Sequence, residues 1–546
     1  MAVKLDKYRP ILFIIIILSV ALIFSWPFLR KGFFITDDGQ WAIVRLAEMV
    51  RELKDLQIPP RWSDYLNHGF GYPLFSFAYP LPYYLGAVLI FFGMSYIAAV
   101  KFLFFISMIG SALFMYLLVK NMLGDKAAFL ASLFYLVAPY RLTDLYTRGS
   151  LGESLSFILF PLIFYLTFLN FNKFSPLKSL LLSVVLAAQI LTHNVMALIF
   201  LPVWLFLVII LIYTSPRKYL KNLSFRFIKI LILALCLSAY FLIPLFLEKK
   251  YLYLSVVRLA DPLKYFLSFS DLLGLSFKSQ ARLVFSLGLP QIVVVILSVL
   301  VFIKKGIKTN LLSKLYLLLL SLFLLFIFLT TKTSYFLWRI PPLSAIDFPW
   351  RLMGVVIFFA SFLSAFLVKN EIIFKLGLIF LVLSAFQNFT LIKPQFIAAE
   401  DDLYYLTNDA TTTSMDELLP VWVKEKPRNR YVEKVILFNN DARIKSLQYN
   451  SRFIDFKLSS QTPGRLQINT IYYPGWQFSL NGKIHPITYN NPGGLITFDY
   501  PSGESKIKGK FTETPLRLIA DLVSLSSLLF IFIKLIRLKF SYAGKN

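Results

Sequence analysis

Apolar residues in this chain fall in long blocks that short polar segments separate. Residues 10–29, 311–330 and 516–536 are almost wholly apolar, and each block reaches the roughly 20 residues that a helix needs to cross a bilayer. The block pattern predicts a mostly α-helical protein that passes through a membrane many times.

Basic residues between the blocks predict how the chain is oriented. Cytoplasmic loops carry an excess of Lys and Arg, so the clusters within 217–229, 304–308 and 534–539 are placed inside, and both termini are then cytoplasmic. The pattern predicts a polytopic bundle of about twelve spans. They cover residues 10–29, 97–119, 127–140, 152–171, 177–194, 196–214, 227–247, 286–303, 311–330, 351–368, 372–391 and 516–536.

Residues 30–96 form a long first outward loop in this topology. Within it, WAIVRLAEMVRELKDL has apolar residues at helical spacing with charges on the opposite side, which predicts an amphipathic helix in the membrane interface. Residues 81–95 would be either an additional span or a helix that lies flat. We expect the flat helix, because an additional span would invert the charge pattern downstream.

Composition changes near residue 392, where the chain turns polar and strand-like. RFIDFKLS and RLQINTIYY alternate apolar and polar residues, as half-buried strands do. FSLNGKIHPI places Asn-Gly between two such runs, which is a strong hairpin signal. The sequence therefore predicts a transmembrane domain over 1–391, a small extracytoplasmic β-sandwich over 392–515, and a final membrane helix with a cytoplasmic tail over 516–546.

Composition and charge exclude several classes of function. The chain is 58% hydrophobic and 16% charged, with a net charge of +27, but its basic residues flank apolar blocks, so we expect a membrane lipid environment and no nucleic-acid partner. Cys236 is the single cysteine, which rules out an intramolecular disulfide and a cysteine-based metal site. The motifs of ATP hydrolysis, nucleotide redox chemistry and zinc proteolysis are absent from the sequence, so we expect none of these activities.

An acidic pair, Asp37 and Asp38, follows the first span in the stretch FFITDDGQW. Ionised carboxylates are costly near hydrocarbon, so those kept at a membrane face are commonly functional. The alternative is that both aspartates merely end a helix and face water. Most other acids of the membrane domain also fall on predicted outward segments, which suggests that the outer face carries the chemistry.

A second polar group, YRLTDLYTRGSLGES, lies at the predicted outer mouth of the bundle. Arg141 and Arg148 carry guanidinium groups, which suit phosphate oxygens. Asp144 or Glu153 could hold a divalent cation together with one carboxylate of the acidic pair, since hard cations prefer oxygen ligands. The structural alternative is an ion-paired loop that shapes a helix end.

Two further polar residues interrupt apolar stretches. His193, in ILTHNVMAL, either binds a phosphate or forms a hydrogen bond between helices. Arg351, in IDFPWRLMG, is predicted at the outer end of a span, where it either extends to the interface or holds the phosphate of a lipid substrate.

Six segments spread from residue 36 to 483 resemble, in this order, a family of large bacterial membrane proteins. They are TDDGQW, RWSDYLNHGFGYPLFSFAYPLPYYL, YRLTDLYTRGSLGE, LTHN, FPWRLM and YYPGWQFSLNGK. The chain resembles the YfhO-like proteins and their relatives in the GT-C glycosyltransferase superfamily. Residues 65–390 also resemble a membrane family labelled 6-pyruvoyl-tetrahydropterin synthase-related. That label implies no pterin chemistry here, because pterin synthases are soluble and bind zinc through clustered histidines.

The GT-C resemblance implies a transferase that takes a sugar from a polyprenyl phosphate, with an acid of the first outward loop as general base. We hypothesise an inverting transfer at the outer membrane face to a glycan, lipid or protein acceptor. The alternatives are a non-catalytic transporter or flippase for polyprenyl-linked or lipid-like cargo, and a scaffold whose β-domain binds polysaccharide. The residues assigned to the transfer are Asp37 or Asp38 as the base, Arg141, Arg148, His193 or Arg351 at the phosphate, and Asp144 or Glu153 at a Mg²⁺ or Mn²⁺ ion.

Overall fold

The computed structural model describes residues 2–275, 285–305, 310–394, 396–397 and 401–543. Helices dominate as far as Ile392, and antiparallel sheets follow before one last long helix. The predicted fold class, a mostly helical membrane protein with a β-rich region near the C-terminus, is confirmed.

The helices vary widely in length. Helices α1 to α18 span, in chain order, Ala2–Phe24, Gly39–Lys54, Leu81–Phe91, Tyr96–Leu123, Asp125–Leu136, Pro139–Thr143, Leu151–Asn172, Pro176–Thr192, Asn194–Tyr213, Arg217–Leu237, Ala239–Leu247, Phe269–Leu273, Leu289–Lys305, Leu311–Thr330, Met353–Ser364, Glu371–Asn388, Asp402–Leu406 and Pro515–Ala543.

Within the part of the chain that the structure describes, seven helices are long and apolar enough to cross a membrane, or eight if one bent pair counts as a span. The predicted block 127–140 instead forms α5, of 12 residues, and 81–95 forms α3, of 11 residues. At 1.5 Å per residue each covers roughly 18 Å or less, which is short of a hydrocarbon core of about 30 Å. The total of about twelve spans stays a prediction.

The predicted span over 227–247 falls on two helices, α10 and α11, which meet at an angle of 73°. Ser238 lies at the break, and its hydroxyl donates to the carbonyl of Ala234 at 2.9 Å, a bond that bends helices. The amide of Tyr240 donates to Ser524 Oγ of α18 at 2.9 Å. The break therefore ties the bent pair to the final helix.

The amphipathic pattern predicted a helix in the membrane interface, but α2 is largely buried within the protein. Both its apolar side and part of its charged side are buried, with Glu48 and Glu52 fully inaccessible. Arg51 pairs with Glu48 and donates to the carbonyl of Leu406, and Ser63 donates to Glu52 at 2.6 Å. The charged side of α2 is thus covered both by the rest of the first long loop and by the chain that leads into the β-rich region.

Burial of Glu48 gives this packing a pH dependence. Burial raises the pKa of Glu48 to about 7, and Arg51 only partly offsets this. Because the folded state then holds the proton more tightly than the unfolded chain, the stability from Glu48 is full below about pH 4.5 and is lost as pH rises through 7. We expect Glu48→Gln to unfold at a higher temperature than the wild type at pH 8, by the equivalent of about 1–3 kcal/mol, and to show no advantage at pH 4.5.

Thermal unfolding of the detergent-purified protein at both pH values checks this expectation. Glu425→Gln, at an exposed acid, is the matched control and should leave the unfolding temperature unchanged at both. An equal shift for the two variants, or none for Glu48→Gln at pH 8, would contradict the assignment.

Strands β1 to β10 form one short ribbon and two larger sheets. The ribbon pairs β1 with β2, a five-stranded sheet has the order β4-β5-β10-β7-β8, and a three-stranded sheet has the order β3-β6-β9. Phe478 of one larger sheet contacts Phe498 of the other, so their inner faces pack together. The strands span Phe33–Phe34, Phe396–Ile397, Val435–Leu437, Arg443–Tyr449, Phe453–Ser460, Gly464–Ile471, Trp476–Leu480, Lys483–His485, Leu495–Tyr500 and Gly503–Phe511.

The predicted strands and hairpin are confirmed. RFIDFKLS and RLQINTIYY match β5 and β6 within two residues at each end. Leu480 pairs with Lys483 across the turn, and Asn481 and Gly482 both have positive φ, of 51° and 83°. This is the two-residue turn that Asn-Gly favours, because its backbone twist matches that of the strands.

Ion pairs of two buried arginines link the first long loop, the end of the β-rich region and the helices of the membrane part. Arg61, from the first long loop, contacts Glu513 at 2.9 Å and Asp521 at 2.5 Å. Arg517 of α18 contacts Glu248 at 2.9 Å at the end of α11. These contacts join the loop, the bent helix pair and the final helix at the point where the sheet ends.

The predicted outward position of residues 392–515 has a direct test. Asn481 is exposed at the hairpin tip, so Asn481→Cys in a Cys236→Ala background provides one thiol in the β-rich region. We expect an impermeant maleimide to label this variant in intact cells. The same background without the new cysteine is the control, and labelling only after lysis would reverse the whole orientation.

Candidate active site

A small cavity of about 160 Å³ forms where the N-terminus of α2 meets the turn before α7. Asp38 lies at the N-terminal cap of α2 and lines this cavity, with its side chain 55% exposed. Its amide donates to the carbonyl of Arg148 at 2.6 Å, and the Asp37 amide donates to Thr147 at 3.1 Å. The backbone thus brings one member of the acidic pair beside Arg148.

Two glycines allow this close approach. Gly149 has φ +69°, and a Cβ there would lie 2.7 Å from the Gly39 nitrogen. A Cβ at Gly152 would lie 2.5 Å from the carbonyl oxygen of Thr192, next to His193. Since side-chain carbons are not found at such distances, glycine at both positions lets three chain segments meet around the cavity.

Arg148 lies at the centre of a buried charge network. Its Nη1 atom contacts Asp144 at 2.5 Å and Glu153 at 2.7 Å, and its Nη2 atom lies 3.6 Å from Asp38. Its guanidinium carbon lies 4.5 Å from the centre of the Trp350 ring. Asp144 and Glu153 therefore hold Arg148 in place while its second nitrogen faces the cavity.

This arrangement changes the expectation of a metal site at Asp144 and Glu153. Both carboxylates are buried and paired with Arg148, and Glu153 also accepts from Tyr140 at 2.5 Å. Across the described ranges, no group of three or more His, Cys, Asp or Glu side chains is placed to hold a metal ion. The donor set does not fit Mg²⁺ or Mn²⁺, because a guanidinium lies where the cation would bind.

His193 and Arg351 both reach the cavity. His193 Nδ1 accepts a hydrogen bond from the Met196 amide at 3.1 Å and so caps α9. The centre of its ring lies 4.9 Å from the centre of the Tyr79 ring. Arg351 has a long 3.4 Å contact to the carbonyl of Ile346, and its buried Nε finds no acceptor among the residues described. His193 therefore has a structural role at Nδ1, and Arg351 has unused donor capacity at the cavity.

Arg141 does not join the site. It is 1% exposed, donates to the carbonyl of Ser107 at 2.7 Å, and packs over the rings of Tyr135 and Phe157. Residues 144–148 form a single π-helical turn, which adds rotation between Arg141 and Arg148. The two arginines consequently point to different places, and only Arg148 reaches the cavity.

Arg45, Tyr79 and Tyr83 are among the cavity residues that were not predicted from the sequence. Arg45 lies two turns into α2 from Asp38, on the same side of the helix, and its Nε donates to Thr412 at 2.9 Å. Tyr79 and Tyr83 stack at 6.0 Å. For Arg45 the available signal was its spacing of seven residues from Asp38, since residues so spaced share a helix face.

The model of a family described as "6-pyruvoyl-tetrahydropterin synthase related domain; membrane protein" matches residues 75–393. The chain belongs to this family. The match contains Tyr79, Tyr83, Arg148, His193 and Arg351, whereas Asp38 and Arg45 precede it. The resemblance to this family noted from the sequence is confirmed.

The histidines of this chain are not clustered, although the name of the family refers to a pterin synthase. The chain has three: His68 contacts Asp409 at 3.1 Å, His193 lines the cavity, and His485 lies in β8. These lie in different elements, so the family's label gives no chemistry to the site.

One known relative is similar to part of the chain. An uncharacterized protein from Lactococcus lactis subsp. cremoris (strain MG1363) is 28% identical over 242 residues, which are 43% of this chain and 39% of the relative. The chain thus matches about two fifths of that relative's length.

Two solved structures are also similar. The arabinofuranosyltransferase AftD from Mycobacteria has a TM-score of 0.46 and 16% identity, over 71% of this chain and 27% of AftD. The Archaeoglobus fulgidus oligosaccharyltransferase, solved with Zn and sulfate, has a TM-score of 0.41 and 14% identity, over 73% of this chain and 53% of its own.

Proposed function

We propose that this protein is a membrane glycosyltransferase that moves a sugar from a polyprenyl-phosphate donor to an acceptor hydroxyl. The observation that carries the proposal is the convergence of Asp38 with Arg45, Arg148 and Arg351 on one cavity. One carboxylate beside several guanidinium groups suits a reaction that removes a proton from one partner and leaves a phosphate on the other.

The charge of the cavity favours a phosphate ligand. Arg148 is matched by buried carboxylates, but in the described chain neither Arg45 nor Arg351 has a carboxylate within ion-pair distance. Guanidinium groups bind phosphate oxygens in a planar, two-point manner. An incoming phosphate would supply the acceptors that Arg351 Nε lacks.

Asp38 is the base in this proposal, and Asp37 is not, because only Asp38 lines the cavity. The Asp38 carboxylate takes the proton of the acceptor hydroxyl, whose oxygen forms a bond to the anomeric carbon of the sugar. The bond from the anomeric carbon to the phosphate oxygen breaks, and the configuration at that carbon is inverted. The polyprenyl phosphate leaves as an anion that Arg148 and Arg351 stabilise, and the acceptor leaves glycosylated.

Arg351 provides a test of the phosphate site. Arg351→Lys keeps the charge but loses the two-point geometry, so we expect it to weaken binding of a polyprenyl-phosphate sugar. Arg351→Gln should weaken binding further, by roughly 10–100-fold, as expected for a lost charge-assisted hydrogen bond. Binding to the purified protein in detergent is the measurement.

Arg339→Gln is the matched control, because Arg339 is exposed and does not line the cavity. We expect it to bind the donor as the wild type does. If Arg351→Lys and Arg351→Gln both bind the donor with wild-type affinity, Arg351 serves helix-end packing and the phosphate site is elsewhere.

A transporter or flippase remains the second candidate, because a cationic cavity also suits cargo that carries a phosphate. Asp38 favours the enzyme, since moving intact cargo requires no base. A transporter would move polyprenyl-linked cargo without breaking its bond to the sugar.

A further inference from the structure

A second cavity, of about 700 Å³, lies between α8, α10 and α18. The basic clusters predict that the helix ends lining this cavity face the cytoplasm. The cavity shares no lining residue with the active-site cavity. Isoleucine, leucine and phenylalanine side chains form much of its wall. It is therefore a separate feature, on the predicted cytoplasmic side of the membrane.

Three cations line this cavity, and no acidic residue does. They are Arg226, Lys229 and Lys534, and none has a carboxylate within ion-pair distance in the part of the chain described. Arg226 donates to the carbonyl of Asn170 at 2.6 Å and lies 4.5 Å from the ring of Phe174. The cavity thus combines an apolar wall with positive charge that the protein does not neutralise.

Little of the final helix is buried within the protein on this side. Only 11% of the most apolar window of α18 is buried within the protein, and the cavity separates part of that helix from α8 and α10. A flexible hydrocarbon chain would fill this gap and restore the lost dispersion contacts.

We propose that this cavity binds an anionic phospholipid of the cytoplasmic leaflet. The headgroup phosphate contacts Arg226, Lys229 and Lys534, and one acyl chain runs along the apolar wall toward Cys236. Anionic lipids concentrate in that leaflet, and basic pockets between membrane helices on that side bind their headgroups. This inference is independent of the proposed glycosyl transfer.

Cys236 makes the site directly testable, because it lines the cavity and is the only cysteine in the chain. Phosphatidylglycerol or phosphatidylcholine is added to the detergent-purified protein, bound lipid is counted by native mass spectrometry, and the rate of Cys236 labelling by a maleimide is followed. We expect phosphatidylglycerol to bind and to slow labelling, and phosphatidylcholine to do neither.

Lys229→Gln/Lys534→Gln should weaken phosphatidylglycerol binding by about 30-fold, or about fivefold per lysine. Both lysines are exposed, so the double variant should fold. Lys218→Gln/Lys221→Gln removes the same charge from exposed positions of α10 that lie outside the cavity, and it should bind phosphatidylglycerol as the wild type does.

Three kinds of result would overturn the proposal. The first is wild-type binding by Lys229→Gln/Lys534→Gln, or equal losses in both double variants. The second is equal binding of phosphatidylcholine. The third is protection of Cys236 by soluble glycerol phosphate alone, since this would show that the phosphate need not belong to a lipid.

Discussion

Replacing Asp38 by Asn is expected to slow sugar transfer by about 10²–10⁴-fold, the usual loss when a general base is removed. Asn keeps the volume and the position at the cap of α2 but cannot accept a proton. Donor binding should survive, because the phosphate contacts Arg148 and Arg351 in this account. The measurement is single-turnover transfer by purified protein, with donor affinity determined on the same preparation.

Asp37→Asn is the companion variant, since Asp37 is adjacent but does not line the cavity. We expect it to retain most of the transfer rate. A slow Asp37→Asn beside a normal Asp38→Asn would reverse the assignment of the base. Full activity in both single variants and in the double variant would place the base outside the acidic pair.

Loss of Arg148 is expected to have the largest effect on stability. Arg148→Gln leaves Asp144 and Glu153, both fully buried, without their cation. Removing one partner of a buried ion pair typically costs about 3–5 kcal/mol, so we expect a marked fall in the unfolding temperature and no transfer. Arg465→Gln, which breaks an exposed contact to Asp499, should cost at most about 1 kcal/mol.

A triple variant separates stability from function at this position. Arg148→Gln/Asp144→Asn/Glu153→Gln has no unpaired buried charge, so we expect it to recover much of the lost stability. It should remain inactive, because the donor phosphate would still lack Arg148. Recovery of transfer together with stability would show that Arg148 acts only in folding.

Local patterns predicted those elements whose partners are close in sequence. Asn481 and Gly482 fixed the hairpin, because positive φ at both positions favours that turn. The apolar blocks predicted α4, α7, α9 and α14. In contrast, the amide of Tyr240, beside the bend, donates to Ser524, which lies 284 residues further along the chain, and no local pattern predicts such a partner.

The candidate site was predicted in part for the same reason. Asp38, Arg148, His193 and Arg351 do line one cavity, as their shared predicted membrane face implied. Arg45 was missed because its helix was expected on the surface, where an arginine needs no special role. Its position follows from packing of α2 against the segment that contains Thr412.

The metal site expected at Asp144 and Glu153 could not be distinguished from an ion pair by sequence. Residue type and spacing fit an oxygen-ligand site, but they fit a buried ion pair equally well. Only the three-dimensional arrangement, with Arg148 between the two carboxylates, distinguishes these possibilities.

We propose that the protein breaks the bond between a sugar and a polyprenyl phosphate. The most direct measurement places the purified protein in vesicles with a donor labelled in both its sugar and its lipid, and supplies candidate acceptors. We expect the sugar label to appear on an acceptor with inverted configuration, while free polyprenyl phosphate accumulates in equal amount. If the donor crosses the membrane intact in every preparation, with its two labels still joined, the result would contradict sugar transfer and favour a transporter.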